Sequence, residues 1–244
     1  MIVDQQISAI VIAYNLERFI GEAVTTIQAQ SRPVQEIIIV DDGSTDRTPE
    51  IVQALARSDS RIRPLTCERG GPSRARNRGL QASTGGIVAF LDGDDAWPQD
   101  KIDRQMARFG DADRPDIVSG LIQRFQNLDP VSLTPLDPGA GGPGAYVGAS
   151  LFRRAVFSAI GPFDESLIYA EDHDLMLRVR EAELKIAIVN HTTLYYRRRA
   201  GSLTKAAGAP MDFQLFGVLR RSMARRRRTG ESLHLDPLSK FRDR

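Results

Sequence analysis

Ile87-Val88-Ala89-Phe90-Leu91-Asp92-Gly93-Asp94-Asp95 is the stretch on which the fold turns. Five consecutive apolar residues are what a strand covered on both faces of a parallel sheet needs, and the run ends abruptly in three carboxylates around one glycine. Two earlier stretches follow the same pattern. Ile7–Ala13 is a β-branched apolar run followed by Tyr14-Asn15, and residues 36–40 form another, followed by Asp41-Asp42-Gly43-Ser44. Open α/β sheets bind ligands beyond the carboxyl ends of their strands, so polar residues gathered after apolar runs predict a site built from several strand ends.

Helical patterns separate these strands. Phe19, Ile20, Val24 and Ile27 recur at helical spacing before Ser31-Arg32-Pro33 breaks the pattern, and Asn15 is the expected cap. Thr48-Pro49 opens a second helix with Ile51, Val52 and Leu55 inward, residues 61–66 give a short strand, and Pro72–Ala82 a third helix. Such alternation predicts an α/β fold with a mostly parallel central sheet and helices on both faces. Residues 127–144, rich in proline and glycine, are expected to form a mobile loop flanking an acceptor. A short helix over 154–159, a turn at Gly161-Pro162-Phe163-Asp164-Glu165, a helix over 171–182 and two strands near 186–189 and 193–196 complete the domain.

A chain of 244 residues with 41% hydrophobic and 26% charged residues suits one α/β domain with a small appendage. The net charge of +2 gives no reason to expect nucleic acid as a partner. Cys67 is the only cysteine, so no internal disulfide can form and a reducing, cytoplasmic compartment is expected. The N-terminal residues lack the basic and apolar regions of a signal peptide, and no apolar run approaches the ~18 residues of a membrane span.

Four constellations carry chemistry. Asp41-Asp42-Gly43-Ser44-Thr45-Asp46 can present a carboxylate to a nucleobase N–H or a ribose hydroxyl, or can serve as a helix-capping turn. The cluster at 92–95 concentrates negative charge that a hard cation such as Mg²⁺ or Mn²⁺, carrying a diphosphate, would relieve. Glu171-Asp172-His173-Asp174 opens a helix, where carboxylates either complement the macrodipole or act as a general base. Gly70-Gly71-Pro72-Ser73-Arg74-Ala75-Arg76-Asn77-Arg78-Gly79 is a glycine turn leading into a basic helix, able to meet phosphate charge or simply to be solvated.

Together with Ser8-Ala9-Ile10-Val11-Ile12-Ala13-Tyr14-Asn15 and the 161–165 turn, these motifs in this order resemble the inverting GT-A glycosyltransferases of family 2, over roughly residues 7–204. The resemblance implies a Rossmann-like three-layer α/β/α catalytic domain over 1–205, with a nucleotide-binding half at about 1–95 and an acceptor-binding half at about 96–205. It further implies Tyr14 and Asp42 at the base, typically uracil, Asp92 at the ribose and metal, and Ala13 and Gly93 at the nucleotide. Asp94 with Asp92 would hold Mg²⁺ or Mn²⁺, Arg76 would lie at the nucleotide, and Asp172 would be the base, with Glu171 as the fallback. Many relatives carry a histidine where this chain has Arg199, and an arginine cannot ligate a cation although its fork can clamp phosphate. The implied partners are a nucleotide-sugar donor, a UDP-sugar for preference, and a glycan or lipid-linked acceptor hydroxyl.

Two rivals remain at this stage. A pyrophosphorylase would need a glycine- and lysine-rich phosphate loop after the first strand, which Tyr14-Asn15-Leu16-Glu17 is not. A non-catalytic nucleotide-sugar-binding member or scaffold is suggested by Arg199 and opposed by Asp94 and Asp172. Residues 206–244 read as a basic amphipathic extension in which Met211, Phe213, Leu215, Phe216, Val218, Leu219 and Met223 mix with Arg220, Arg221 and Arg225 to Arg228. Its 211–228 stretch would either lie on the inner face of an anionic membrane or pack on the domain or a dimer partner.

Overall fold

The computed structural model describes residues 6–143, 146–199 and 208–229, with the side chains of 214–227 in the last of these. The strands are β1 (Ile7–Ala13), β2 (Glu36–Asp41), β3 (Ile62–Thr66), β4 (Ile87–Asp92), β5 (Ile117–Phe125), β6 (Gly141–Pro143), β7 (Leu151–Arg153) and β8 (Ile186–Arg197). The helices are α1 (Ile20–Gln28), α2 (Thr48–Ser58), α3 (Pro72–Ala82), α4 (Lys101–Phe109), α5 (Ala155–Ile160), α6 (Glu171–Glu181) and α7 (Gly208–Thr229). A 3-10 turn, Val147–Ala149, precedes β7.

All eight strands join one sheet, in which β3, β2, β1 and β4 lie side by side in parallel. Beyond β4, β7 runs antiparallel between β4 and β5, and β8 returns parallel to β5. The period-2 alternation of the apolar strands makes two cores. Val11, Ile39, Ala89 and Leu91 face α1, α2 and α4, whereas Ile10, Val88 and Phe90 face the layer of α5 and α6. The result is the three-layer α/β/α plan that the alternation predicts.

Several local expectations are corrected. Asn15 does not cap α1, which starts at Ile20 with Phe19 at its N-cap; Asn15 sits at φ 53° and its Oδ1 accepts the Thr45 N–H at 2.8 Å. The two strands expected near the end are one strand, β8, whose pairing with β5 is interrupted by irregular register around residues 188–194. Within the proline- and glycine-rich segment, Asp129 Oδ1 accepts the N–H groups of Val131 and Ser132, and Asp137 Oδ1 those of Gln126 and Asn127, contacts on which the mobility expected of this loop does not depend. The apolar pattern alone marks neither β5, whose run is interrupted by Ser119, Gly120 and Gln123, nor α4, whose inward Ile102, Met106 and Phe109 are separated by polar residues.

α3 lies against β1 and β2 at a distance set by Gly79, where an added Cβ would sit 2.3 Å from Ile10 Cγ2 and 3.3 Å from Val40 Cγ2. Gly79→Val is therefore expected to lower unfolding free energy in urea by about 1–3 kcal/mol through overpacking. Gly21→Ala in α1, where a Cβ meets no heavy atom within 4 Å, is expected to be neutral or to gain up to about 1 kcal/mol of helix propensity. Equal urea midpoints for the two variants would refute this account of α3 packing.

Candidate active site

The carboxyl ends of β1, β2 and β4, with the starts of α3 and α6 and the end of β8, enclose a cleft of about 740 Å³. Its wall on the side of the β1 and β2 loops is assembled by loop-to-loop hydrogen bonds. Asn15 donates its N–H to Ser44 Oγ at 2.9 Å, Glu17 donates its N–H to Asp46 Oδ2 at 3.0 Å, and the Glu17 carboxylate accepts the Arg47 N–H at 3.1 Å. Asp42 anchors the turn before α3: its two carboxylate oxygens accept the N–H groups of Gly70 and Gly71, each at 2.8 Å. Gly71, at φ 86°, supplies a conformation that a side-chain-bearing residue adopts at a cost. Beside it the Arg69 guanidinium lies 4.2 Å from the centre of the Tyr14 ring.

At the floor, Gly93 donates to Ile12 O at 2.9 Å, and a Cβ there would come within 3.0 Å of that oxygen and of Ile20 and Leu16. This close passage delivers Asp92 and Asp94 into the cleft. Arg76, on the inner face of α3 and only 3% exposed, donates to Asp92 Oδ1 at 2.7 Å and to Glu171 Oε1 at 2.8 Å. Burial alone would lower its pKa, but the charges of Asp92, Glu171 and Asp172 hold it above its usual value. Glu171 follows Ala170, which occupies the left-handed region at φ 61° and begins α6 without a side-chain cap. A non-glycine residue held there stores about 1 kcal/mol of strain, a pattern frequent at functional sites.

Asp172 follows Glu171 in the first turn of α6. Its Oδ2 accepts the Val147 N–H at 3.0 Å, whereas its Oδ1 is buried without a hydrogen-bond partner. Burial pushes its pKa up to about 7, opposed by Arg76 and reinforced by Glu171 and Asp92. It is thus a carboxyl poised to exchange a proton near neutral pH.

Asp94 and Asp95 are also pushed upward, by burial first and then by neighbouring carboxylates. Two arginines from the end of β8 answer them. Arg199 Nε donates to Asp94 Oδ2 at 2.6 Å. Arg197 gives its backbone N–H to Asp95 Oδ1 at 2.8 Å and its Nε to the Asp94 carbonyl at 2.7 Å, reaches the Gln126 carbonyl at 2.6 Å, and pairs with Glu22. The rings of Phe125 and Phe19 lie 4.3 and 5.1 Å from its guanidinium. Burial, together with Arg199, lowers its pKa to about 10, so it stays charged at neutral pH.

Five carboxylates, at 92, 94, 95, 171 and 172, therefore face three guanidiniums. Among the described residues no three His, Cys, Asp or Glu side chains converge as a metal cage. Asp92 and Asp94 nevertheless both line the cleft, and one or two carboxylates plus phosphate oxygens are the usual surroundings of Mg²⁺. The donor set fits a cation that arrives with a diphosphate rather than one permanently caged.

Of the residues singled out from the sequence, Ala13, Tyr14, Asp42, Arg76, Asp92, Gly93, Asp94, Glu171 and Arg199 all line this cleft; Asp172 is not among the lining residues, although its chain neighbour Glu171 is. Arg76 does not present a free charge to solvent; it is locked between carboxylates. The reading missed Arg197, Arg69 and Tyr169, which also line the cleft. Arg197 was legible only as one of three arginines at 197–199, with nothing to separate the buried one from its exposed neighbour Arg198.

An open α/β sheet with a carboxylate-lined cleft at its carboxyl edge is the architecture of GT-A proteins. Residues 8–161 match the family described as glycosyl transferase family 2, and the chain belongs to that family. It is 32% identical over 228 residues to the uncharacterized glycosyltransferase EpsJ of Bacillus subtilis, covering 86% of this chain and 66% of that protein. It is 42% identical over 101 residues to the putative teichuronic acid biosynthesis glycosyltransferase TuaG of the same organism, covering 41% of this chain and 40% of that one. The crystal structure of S. aureus TarS 1-349 in complex with UDP-GlcNAc shares the fold, with a TM-score of 0.72 at 24% identity over 89% of this chain and 65% of that one. The chain spans two thirds or less of the length of each of these relatives.

Because Arg197 ties β8, β5, α1 and the acidic loop together, Arg197→Ala is expected to destabilise the protein by about 3–5 kcal/mol, the scale for removing one partner of a largely buried pair. Hydrogen exchange should then rise in residues 92–96 and 125–127. Unchanged exchange in both segments would show that Arg197 does not hold this loop.

Proposed function

We propose that this chain transfers a sugar from a nucleoside-diphosphate sugar, a UDP-sugar for preference, to an acceptor hydroxyl with inversion, in bacterial-type glycan or polysaccharide synthesis. The observation that carries the reading is Asp172, a buried carboxyl with one unpartnered oxygen and a pKa of about 7, next to a cleft bordered by Asp92 and Asp94. TarS, whose fold the chain shares, is described in complexes with UDP-GlcNAc and with UDP, which supports a donor of this class.

In this reading residues 1–95 receive the nucleotide and 96–205 the acceptor. Tyr14, Ala13 and Asp42 border the base; each Asp42 oxygen, already accepting one glycine N–H, keeps a lone pair for a base N–H. Asp92 and Gly93 meet the ribose, and Arg76 fixes the Asp92 carboxylate there. Asp94 and Asp92 would hold Mg²⁺ or Mn²⁺, which when bound neutralises charge on the departing diphosphate. Arg199, released from Asp94, clamps phosphate oxygens in the place where many relatives use histidine. The acceptor O–H gives its proton to the Asp172 carboxylate as its oxygen bonds to the anomeric carbon. The bond from that carbon to the diphosphate oxygen breaks, and its electron pair leaves with the nucleoside diphosphate. Once Arg199 has turned to the diphosphate, its positive charge lies where negative charge accumulates and stabilises the transition state more than the ground state.

Asp172→Asn is expected to slow transfer by about two to four orders of magnitude while leaving UDP affinity unchanged in calorimetry. If Glu171→Gln alone has that effect, the base is the neighbouring residue. Asp94→Ala is expected to abolish the dependence of donor hydrolysis on added Mg²⁺ or Mn²⁺; a variant with full metal-dependent turnover contradicts the ligand assignment.

The pH dependence has a defined sign. A base must be deprotonated to act, so kcat/KM should rise with pH along a limb near 7. The raised pKa also means that the folded state favours protonated Asp172. The stability this contributes is complete below the ordinary carboxylate range and is lost as pH rises through about 7. Unfolding free energies of wild type and Asp172→Asn, compared between about pH 5 and pH 8, should diverge in that direction. Parallel profiles would remove Asp172 as the titrating group.

A further inference from the structure

We infer that the outward face of α7 seats on an anionic lipid bilayer, with Phe216, Leu219 and Met223 entering the interface and Arg220 and Arg227 meeting lipid phosphates. The inward face of α7 is occupied. Val218 and Ser222 are fully buried, and Leu215 packs on the cluster of Leu167, Ala170 and Val218. Arg225 pairs with Glu181 at 2.6 Å and lies 3.6 Å from Asp174, and Arg221 lies 3.4 Å from Asp164. The packing of an amphipathic helix on its domain is therefore already satisfied by these residues.

A second apolar row is left on the opposite side. Phe216, Leu219 and Met223, spaced three and four residues apart, are 78%, 45% and 48% exposed. Arg220 and Arg227, both exposed, follow Phe216 and Met223 by four residues each and so stand on the same face. No acidic residue occurs between Asp212 and Glu231. Large apolar side chains interleaved with cations on one open face match the boundary between acyl chains and anionic headgroups. A two-fold contact with a second copy would instead press the same arginines against one another. Among the described residues no helix is long and apolar enough to cross a membrane, so the contact would be peripheral.

The helix also bears on the cleft. Gln214 Oε1 accepts the N–H groups of Ile168 and Tyr169 at 3.2 and 2.7 Å, and both of these residues line the cleft just before Glu171. A bilayer under α7 lies beside that lip, which deepens the transferase reading, and rests on it, by naming the acceptor as a hydroxyl on a membrane-anchored lipid.

The test is co-sedimentation of the full chain with vesicles of phosphatidylcholine alone or with about a third phosphatidylglycerol, at about 0.1 M and about 0.5 M NaCl. Binding is expected only to the anionic vesicles and to weaken at the higher salt. Phe216→Ser/Leu219→Ser/Met223→Ser and Arg220→Glu/Arg227→Glu should each weaken it by about tenfold or more. UDP affinity, measured by calorimetry, should be the same in all three proteins, which separates failure at the membrane from failure of the transferase reading. Equal pelleting by wild type and variants, equal pelleting with neutral lipid, or no pelleting overturns the inference. So does lipid-free self-association that the apolar variant abolishes, which would assign the face to a second copy. Loss of binding on removing residues 230–244 with α7 intact would move the contact to the tail and equally overturn it.

Discussion

A single buried guanidinium holds the two sides of the cleft together. Arg76 reaches from α3 to Asp92 at the end of β4 and to Glu171 at the start of α6, two carboxylates 79 positions apart in sequence. A charge with so little exposure persists only because carboxylates surround it, and the carboxylates keep their places because it does. The neighbouring residues of α3 reinforce the junction. Ser73 Oγ donates to Leu167 O at 2.8 Å, and Asn77 brackets Phe163 with two bonds of 2.9 Å, so that the Phe163 ring packs edge-on against Phe90 at 5.3 Å. The Gly161-Pro162-Phe163-Asp164-Glu165 turn is thereby explained as an anchor that fixes where α6 begins.

The electrostatics follow from that geometry. Arg76 moderates Asp172, while Arg197 and Arg199 divide the task of restraining Asp94 and Asp95. Arg197 contributes through backbone carbonyls and aromatic rings as much as through charge, which suits a guanidinium whose five donors lie in one plane. Arg199 donates from Nε to Asp94 Oδ2 at 2.6 Å, lies 5.6 Å from the centre of the Phe19 ring and lines the cleft. Both arginines line the cleft, Arg197 through backbone carbonyls and aromatic rings and Arg199 through the Asp94 carboxylate.

α7 extends the same logic outward. Its inner residues grip the segment 164–170 and the far end of α6, so the lip of the cleft, the strained Ala170 and the C-terminal helix form one packed unit. What the helix does not use for that purpose is its outer row of apolar and basic side chains.

The sequence by itself determined the layer plan and the location of the site. Uninterrupted apolar runs in β1, β2 and β4 demand cover on both faces, and the carboxylates that follow them must gather at one edge of a parallel sheet. It also determined which residues would meet there, because motif order along the chain maps directly onto neighbouring strand ends. Its reading failed where local signals were mixed: β5 carries a serine, a glycine and a glutamine, and Asn15 has the composition of a cap but a backbone that turns away from one. Tertiary structure alone decided that Arg76 is buried rather than solvated, that Arg197 rather than Arg198 enters the wall, and that Asp172 retains an unpartnered oxygen. The physical reason is that protonation, pairing and burial depend on distances between residues remote in sequence, whereas periodicity reports only on neighbours a few positions apart.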